Sequence, residues 1–421
     1  MHSQAWTLIF TAAVCAAFLT RVWLASRQMR HVALHRDNVP AAFRSVISLS
    51  AHQLAADYTI AKLRFGLVTL AVELAALIGW TLLGGLNALN QGLLVLLPAS
   101  TGPNVYGLAL FGAFAVISGA LDLPFAAWNT FRIEQRFGFN KMSWRLWLQD
   151  LLKGAAVGVV LGLPIAALVL WLMAQAGAWW WLWAWGVWMG FNLLMLVVYP
   201  TLIAPLFNKF QPLADEALGQ RVRALMQRCG FSAKGFFVMD GSRRSAHANA
   251  YFTGLGASKR VVFFDTLLTK LSNPEVEAVL AHELGHFKRR HVVKRMVAIF
   301  ALSLLGFALL GWLMQQVWFY QGLGVQPNMA RPNHALAILL LGLSAPAFLF
   351  FVSPVFAAVS RRHEFEADAY ACAHSSGHDL AAALLKLYED NASTLTPDPL
   401  YARFYYSHPP ASERLAAMGT L

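Results

Sequence analysis

Long apolar runs separated by short polar connections dominate the pattern of hydrophobic and polar positions along this chain. A helix needs about 20 apolar residues to cross the roughly 30 Å hydrocarbon core of a bilayer. Seven stretches reach that length, namely residues 5–25, 65–84, 105–128, 151–174, 178–203, 295–319 and 336–359. The pattern therefore predicts a mainly α-helical, polytopic membrane protein.

Two stretches need further argument. Residues 85–105, GLNALNQGLLVLLPASTGPNV, have a short apolar part and several Pro and Gly residues, so we interpret them as a loop lying at the membrane interface. The first apolar run has the composition of a signal peptide core, but no basic segment precedes it and basic residues follow it. We therefore expect a retained membrane anchor.

The composition agrees with a membrane protein, because 58% of the residues are hydrophobic and only 13% are charged, against about 25% charged in a soluble domain. The net charge is +12, but in a membrane protein excess Lys and Arg belong first to cytoplasmic loops, so no nucleic-acid partner is expected. Cys15, Cys229 and Cys372 are far apart and form no CxxC pair. Any metal site must therefore use His and carboxylate ligands.

The charge of the connections alternates along the chain. The connections after the first, third and fifth spans and the tail after residue 360 are basic, whereas 85–104 and 175–177 are uncharged and 320–335 contains only Arg331. The first basic connection contains Arg27, Arg30, Arg36, Arg44, Lys62 and Arg64, and the third connection contains Arg132, Arg136, Lys141 and Arg145. The positive-inside rule then places the N-terminus outside and the C-terminus in the cytoplasm.

Two acidic residues, Glu73 and Asp122, fall inside predicted spans. An ionisable group at the centre of a membrane helix is costly, and it usually faces protein or water. Two interpretations remain open at this point. Either a water-filled interior lies between the helices, or each group makes an interhelical hydrogen bond.

The long fifth connection has the pattern of a small cytoplasmic α+β domain. Residues 213–229 predict an amphipathic helix, and GFFVMD and KRVVFFDTLL predict strands. We divide the chain into an N-terminal membrane domain of five helices (1–204), a cytoplasmic α+β domain (205–294), helices six and seven (295–360) and a C-terminal part of the cytoplasmic domain (361–421).

A helix is predicted over residues 274–291. Ser272, Pro274 and Glu275 have the positions of an N-cap, a first-turn proline and the acid of a capping box. This helix carries the sequence HELGH, which the charge pattern places on the cytoplasmic side.

HELGH contains two histidines four residues apart, so His282 and His286 lie on one helix face and can bind one metal ion. Glu283 points in an adjacent direction, where it can take a proton from a metal-bound water whose pKa zinc lowers to about 7. The pattern predicts one zinc ion per chain in a hydrolase. Gly285 either allows another segment to pass close by or serves ordinary packing.

A catalytic zinc commonly has three protein ligands. His291 follows His282 by nine residues, which on a continuous helix rotates it away from the metal face, so we reject it. His247 and His408 are possible third ligands. We favour Glu364.

Glu364 lies in SRRHEFEADAYACA, just after the last predicted span. Asp368 follows it by one helical turn and can accept a hydrogen bond from a ligand histidine. Glu366 should face elsewhere on that helix. The alternative is a solvated acidic face with no metal.

Several sequence blocks together resemble the type I CAAX prenyl proteases, which are integral-membrane zinc metalloproteases. These blocks are FRIEQRFGFNKMS, IAPLFNKFQPL, SAHANAYFTG, HELGH, SRRHEFEADAYA and YYSHPPASERLAAM. The resemblance covers most of the chain. It implies a barrel of seven transmembrane helices around a water-filled chamber, with the metalloprotease domain on its cytoplasmic side.

The resemblance also implies roles for individual residues. Zinc would be bound by His282, His286 and Glu364, with Glu283 as general base and Asp368 as the partner of a ligand. The strand in HANAY, with Asn249, Ala250 and Tyr251, would bind the extended substrate, and His408 with Arg414 would stabilise the oxyanion. Ordinary readings are a helix-start turn for SHPP and an ion pair for Arg414.

The expected partners are the lipid bilayer and a peptide or protein substrate that is lipid-modified or membrane-associated. No obligate oligomer is expected. The C-terminal AAMGTL contains no retrieval signal of the endoplasmic reticulum, and no long insertion separates the spans, which favours a bacterial inner membrane.

Two alternatives are a quality-control membrane metalloprotease, which has fewer spans, and a transporter or scaffold with a structural zinc. A structural zinc site usually has a fourth Cys or His ligand.

Overall fold

The structure is a computed structural model that describes residues 2–231, 235–253, 260–329 and 332–419. Its α-helices are α1 (His2–Leu34), α2 (Leu49–Trp80), α3 (Gly85–Leu96), α4 (Pro103–Trp128), α5 (Trp144–Gln175), α6 (Trp180–Val198), α7 (Ala204–Phe207), α8 (Glu216–Arg228), α9 (Asp265–Leu268), α10 (Asn273–Lys288), α11 (His291–Leu313), α12 (Val317–Gln321), α13 (His334–Leu349), α14 (Ser353–His374), α15 (Gly377–Asp390), α16 (Pro399–Tyr405) and α17 (Ala411–Ala417). Its strands are β1 (Phe210–Pro212), β2 (Gly235–Met239), β3 (Ala250–Thr253) and β4 (Arg260–Phe264).

Among the described residues, seven helical segments are long and apolar enough to cross a membrane. They are His2–Leu34, Leu49–Trp80, Pro103–Glu134, Trp144–Gln175, Gly177–Phe207, His291–Leu313 and His334–His374. Each one overlaps a predicted span, so the predicted number is confirmed. The second begins well before predicted residue 65, because the polar residues that precede the apolar run also form helix.

Large apolar side chains on these helices point outward. Leu8 on α1, Val160 on α5 and Leu305 on α11 are 70%, 68% and 66% exposed, respectively. Side chains of this kind in such numbers are expected where lipid, not water, surrounds the protein. The chain is therefore a multi-pass membrane protein.

Two boundaries predicted in the membrane region are wrong. Residues 85–96, predicted as part of a loop, form helix α3, because the prolines of this stretch lie beyond its end, Gly92 is accommodated inside it, and Gly84 takes a left-handed φ of 75° before it. The sixth span ends at Leu313, not at 319, because a turn at residues 314–316 separates it from α12.

The domain formed mainly by the long fifth connection contains a four-stranded sheet with the order β1–β2–β4–β3. Strands β2 and β4 are parallel, whereas β1 and β3 pair antiparallel with β2 and β4, respectively. Strand β3 therefore lies at an edge. KRVVFFDTLL was predicted as one strand, but its DTLL part forms helix α9, which begins with the acidic Asp265.

Two sets of contacts hold the membrane helices and this domain in place. At the helix ends far from the domain, buried Phe10, Leu110, Leu170 and Leu340 belong to one apolar core. On the domain side, Arg244 donates from Nε and Nη2 to the two carboxylate oxygens of Asp150 on α5, at 2.8 and 3.0 Å. This paired geometry fixes the domain against the base of α5.

Candidate metal centre

Helix α10 carries HELGH and begins as predicted. The side chain of Ser272 accepts from the backbone amide at the third helical position, and Glu275 returns the contact by accepting from the Ser272 amide at 2.7 Å. Lys386 on α15 donates to Glu275 at 2.8 Å. The predicted capping box is confirmed, and it defines where the histidine helix starts.

Helices α10 and α14 pack closely along each other. Gly285 lies at the contact, where an added Cβ would be 2.9 Å from Ala367 Cα and 3.1 Å from Ala367 O. A side chain cannot fit there without moving a backbone. Close approach, one of the two explanations left open from the sequence, is the one the structure supports.

The close approach brings Glu364 of α14 to the two histidines of HELGH. The ligand atoms of His282, His286 and Glu364 all lie within 4.8 Å of one another. The two histidine Nε2 atoms are 3.2 Å apart, close to the separation of about 3.3 Å that two nitrogens 2.0–2.1 Å from one tetrahedral ion would have. Glu364 Oε1 lies 3.3 Å from His286 Nε2, and Glu364 Oε2 lies 3.5 Å from His282 Nε2.

Burial supports a metal at this place. Glu364 is 4% exposed, and its Oε2 has no hydrogen-bond partner in the described part of the chain. A buried carboxylate oxygen without a partner is costly, and a cation removes that cost. The three residues therefore fit a metal ion.

His282 is oriented by the carboxylate of Asp368. Asp368 Oδ1 accepts from His282 Nδ1 at 2.7 Å, so that His282 Nε2 faces Glu364. Burial lowers the pKa of His282, but the carboxylates of Asp368 and Glu364 outweigh burial and raise it to about 9. The carboxylates around His282 thus favour a positive charge at this place, and a metal ion would supply that charge while His282 is neutral, as a ligand histidine must be.

Arg414, which comes from α17, holds Asp368 in turn. Its Nε and Nη2 donate to the two oxygens of Asp368 at 2.8 and 2.6 Å. The side chains of Arg414, Asp368 and His282 are all buried. The ion pair left open as an ordinary role for Arg414 is present. Its remaining nitrogen, Nη1, lies 3.8 Å from Glu364 Oε2.

Glu283 is partly buried beside the two histidines. It makes no hydrogen bond or ion pair with any residue that the structure describes, and burial raises the pKa of its carboxyl. A carboxylate with a raised pKa and free oxygens is suited to accept a proton.

The His286 side of the site contains a feature that the sequence analysis missed. The predicted helix 274–291 ends at Lys288, and Arg290 takes a left-handed φ of 56°, which non-glycine residues rarely adopt. Helix α11 starts in a new direction at His291. His291 therefore does not continue the helix of the two histidines, contrary to the prediction, and it is not among the clustered ligands.

His291 instead contacts the far side of the ligand ring. His291 Nδ1 lies 3.0 Å from His286 Nδ1, and His291 Nε2 lies 3.0 Å from Glu366 Oε2. Glu366 does face away from the metal ligands, as expected, but it faces His291. The only sequence signal for these contacts was the five-residue spacing between the two histidines.

Of the other two candidate ligands, only His408 is near. His408 Nε2 is 3.4 Å from Glu364 Oε1, and the side chain is 62% exposed. His247 lies elsewhere, because its Nδ1 contacts Asn391 Oδ1 at 3.1 Å and its Nε2 lies 3.7 Å from Glu134 Oε2. His247 is therefore not part of the cluster.

The residues expected to bind substrate lie at the sheet edge. Asn249 is exposed just before β3, and its Oδ1 accepts from the Ala250 amide at 2.8 Å. Tyr251 is in β3, which pairs on one side with β4. Strand β3 also lies against α10, so this edge strand is next to the histidine helix.

Comparisons with known proteins agree with this arrangement. Residues 28–209 match the family model described as CAAX prenyl protease N-terminal, five membrane helices, and residues 212–421 match that of peptidase family M48. The chain belongs to the CAAX prenyl proteases of peptidase family M48. It is therefore an integral-membrane metalloendopeptidase, and the resemblance noted in the sequence is confirmed.

Relatives of this family match along nearly the whole chain. CAAX prenyl protease 1 of Saccharomyces cerevisiae is 32% identical, covering 98% of this chain and 95% of the yeast protein. A homologue from Oryza sativa subsp. japonica is also 32% identical, covering 95% and 94%. The crystal structure of S. mikatae Ste24p is similar with a TM-score of 0.90 at 30% identity, covering 98% of both chains.

Proposed function

We propose that this CAAX-type metalloprotease binds one zinc ion through His282, His286 and Glu364. The main support is the buried Glu364, whose Oε2 accepts no hydrogen bond from the described residues and whose two oxygens lie 3.5 and 3.3 Å from the Nε2 atoms of His282 and His286. Two imidazoles and one carboxylate are a ligand set typical of catalytic zinc. When bound, zinc supplies Lewis-acid chemistry, lowering the pKa of a coordinated water to about 7 and polarising the scissile carbonyl.

The residues around the metal then have separate roles. Glu283 accepts the proton of the attacking water, because its carboxylate has no competing partner among the described residues. His408, exposed beside Glu364, stabilises the oxyanion together with Arg414, whose Nη1 lies 3.8 Å from Glu364 Oε2. Asp368 holds His282 in the tautomer that leaves its Nε2 unprotonated.

Substrate binds as an added strand along β3. An edge strand offers unpaired backbone amides and carbonyls to an extended peptide. Asn249, Ala250 and Tyr251 lie at that edge, next to α10. The natural substrate class in this proposal is a peptide segment that is prenylated or close to the membrane.

The membrane helices form a barrel around a water-filled chamber, with the metal site at its cytoplasmic end. Glu73 and Asp122 are both exposed, and neither makes a hydrogen bond with the described residues. This favours a watery interior over interhelical hydrogen bonds as the reason for their presence in spans.

The test is cleavage of a farnesylated peptide and its unprenylated counterpart by the full-length zinc-loaded protein in detergent. Glu283→Gln should lower kcat by roughly 100- to 10,000-fold, because general-base catalysis contributes that much, while zinc stays bound at one ion per chain. Glu277→Gln, on the same helix but paired with Arg221 and Arg228 at 2.9 and 2.6 Å, is the matched control and should retain activity.

Undiminished activity in Glu283→Gln would contradict its role as base. Equal cleavage of the two peptides would show that the lipid is not required, and preference for the farnesylated peptide would support the prenylated substrate class.

A further inference from the structure

We propose that His291 and Glu366 form a hydrogen-bonded relay that fixes the tautomer and orientation of the metal ligand His286. Here "relay" means these two residues only. The proposal rests on the proposed metal site, in which His286 binds through Nε2. It makes His291 and Glu366 positioning residues, since neither touches the ion or the substrate.

The distances define a single chain of contacts. Glu366 Oε2 is 3.0 Å from His291 Nε2, and His291 Nδ1 is 3.0 Å from His286 Nδ1. On the other side of its ring, His286 Nε2 faces Glu364 Oε1 at 3.3 Å. The chain thus runs from a carboxylate through two imidazoles to the metal site.

The protons of this chain can be assigned from chemistry alone. An ionised carboxylate only accepts, so His291 Nε2 carries a proton. Two nitrogens facing each other at 3.0 Å share one proton, so either His286 or His291 donates between the Nδ1 atoms. A ligand histidine that uses Nε2 carries its proton on Nδ1, so His286 donates and neutral His291 accepts.

The position of His291 is set by the backbone and by packing. The left-handed turn at Arg290 makes His291 the first residue of α11, and only 4% of His291 is exposed. His363 of α14 stacks on its ring, with centroids 4.0 Å apart and an interplanar angle of 10°. The ring therefore has little freedom to turn its Nδ1 away from His286.

The two residues of the relay lie on two of the long membrane-crossing helical segments. His291 begins the sixth membrane-crossing segment, and Glu366 lies on α14, which is the last part of the seventh. The orientation of His286, which lies in the cytoplasmic domain, thus depends on both of these helices being in place.

The experiment measures zinc binding by full-length protein in detergent, stripped of metal and titrated against a chromophoric chelator. His291→Phe keeps an aromatic ring but removes the acceptor, and should weaken zinc binding roughly 10- to 100-fold. His291→Asn places an oxygen acceptor where Nδ1 was, and should recover most of the affinity. Glu366→Ala should weaken binding by less than His291→Phe does.

Arg362→Ala is the matched control. Arg362 Nε is 3.4 Å from Glu366 Oε1, but Arg362 is 82% exposed and lies on the side of Glu366 away from His291 in the contact chain. Its removal should leave zinc affinity unchanged. The thermal midpoint of each metal-free protein reports whether the variant is folded.

The outcomes separate this proposal from the zinc site itself. If wild-type protein does not bind zinc, the metal site fails and the relay with it. If wild type binds zinc and folded His291→Phe binds equally well, only the relay is overturned. Equal losses in His291→Phe and His291→Asn overturn it as well, because the ring would then matter for packing alone. If His291→Phe is unfolded, an unchanged affinity of Glu366→Ala overturns the relay.

Discussion

The two histidines of HELGH differ in what lies behind them. His282 contacts one carboxylate directly, and that carboxylate is paired with Arg414 in a part of the protein where all three side chains are buried. Behind His286 stands a second imidazole, followed by Glu366, whose side chain is 30% exposed. The Nε2 atoms of His282 and His286 thus have equivalent positions, but they are oriented differently. A buried ion pair orients His282, and the partly exposed relay orients His286.

The difference indicates that the residues orienting His282 also stabilise the fold, whereas Glu366, behind His286, contributes little to stability. Removing one partner of a buried ion pair leaves an uncompensated charge, which is strongly destabilising. A carboxylate near water can be lost at little cost to folding. The His282 side should therefore respond to mutation in both stability and metal affinity, and the His286 side mainly in affinity.

The largest effect is expected from Asp368→Ala. It leaves the buried guanidinium of Arg414 without its partner, which should lower the free energy of unfolding by about 3–5 kcal/mol. It also removes the acceptor from His282 Nδ1, which should weaken metal binding roughly 10- to 100-fold. Thermal unfolding of metal-free protein and zinc titration measure the two effects separately.

The double variant Asp368→Ala with Arg414→Leu tests that separation. Removing both charges should restore much of the stability, because no unpaired buried charge remains. Metal affinity should stay low, because His282 still lacks its acceptor. Recovery of affinity together with stability would show that Asp368 acts through charge balance and not by orienting His282.

An intermediate effect is expected from Gly285→Ala, which acts between the two sides. The new Cβ would meet the Ala367 backbone at 2.9 Å, and such overpacking costs about 1–3 kcal/mol. Since Glu364 and Ala367 are on the same helix, separating α10 from α14 should also weaken metal binding through both histidines. Zinc titration of variants that combine Gly285→Ala with His291→Phe or with Asp368→Ala measures this effect. The loss of zinc affinity caused by Gly285→Ala should be similar in both combinations.

Gly219→Ala is the control for that change. Gly219 is in helix α8, and its added Cβ would make only ordinary contacts with Arg223, at 3.6 Å or more. Alanine is favoured over glycine inside a helix by about 1 kcal/mol, so this variant should be neutral or slightly more stable. A loss of zinc affinity in Gly219→Ala would show that the domain responds to helix changes in general.

The sequence predicted the His282 side better than the His286 side, for a physical reason. Spacing on one helix places His282 next to His286, and spacing on another places Asp368 one turn after Glu364, so local geometry sufficed once the two helices met. His291 depended on a left-handed turn at Arg290, which no residue type at that position announces. The pairing of Arg414 with Asp368 joins residues 46 positions apart, and only the folded chain shows it.

In the fold, too, some elements were predicted from the sequence and others were missed. Seven apolar helices were predicted because lipid imposes a length and a composition on each. Short elements were missed: helix α3 was interpreted as a loop, and strand β1 was not predicted, because a few residues give too weak a pattern.

The smallest effect is expected from Lys386→Met, which acts on the start of the helix that carries both histidines. Burial raises the pKa of Glu275, but Lys386 and the Ser272 amide outweigh it and hold that pKa below its ordinary value of 4.5. The resulting stabilisation is therefore present above pH 4.5 and is lost as the pH falls through the lower, folded-state pKa. Because Lys386 is 43% exposed, its removal should cost less than about 1 kcal/mol at neutral pH.

Lys386→Met should also make the free energy of unfolding fall less steeply as the pH is lowered. Without Lys386, protonation of Glu275 removes less stabilisation. Thermal midpoints between pH 3 and 7 measure the change, with Arg362→Ala as an exposed-pair control. Zinc affinity at neutral pH should stay at the wild-type value, because the capping box stabilises the start of α10 and contacts neither His282 nor His286. A selective loss of affinity in Lys386→Met would mean that the cap also orients a ligand, and that the two sides of the site are not independent.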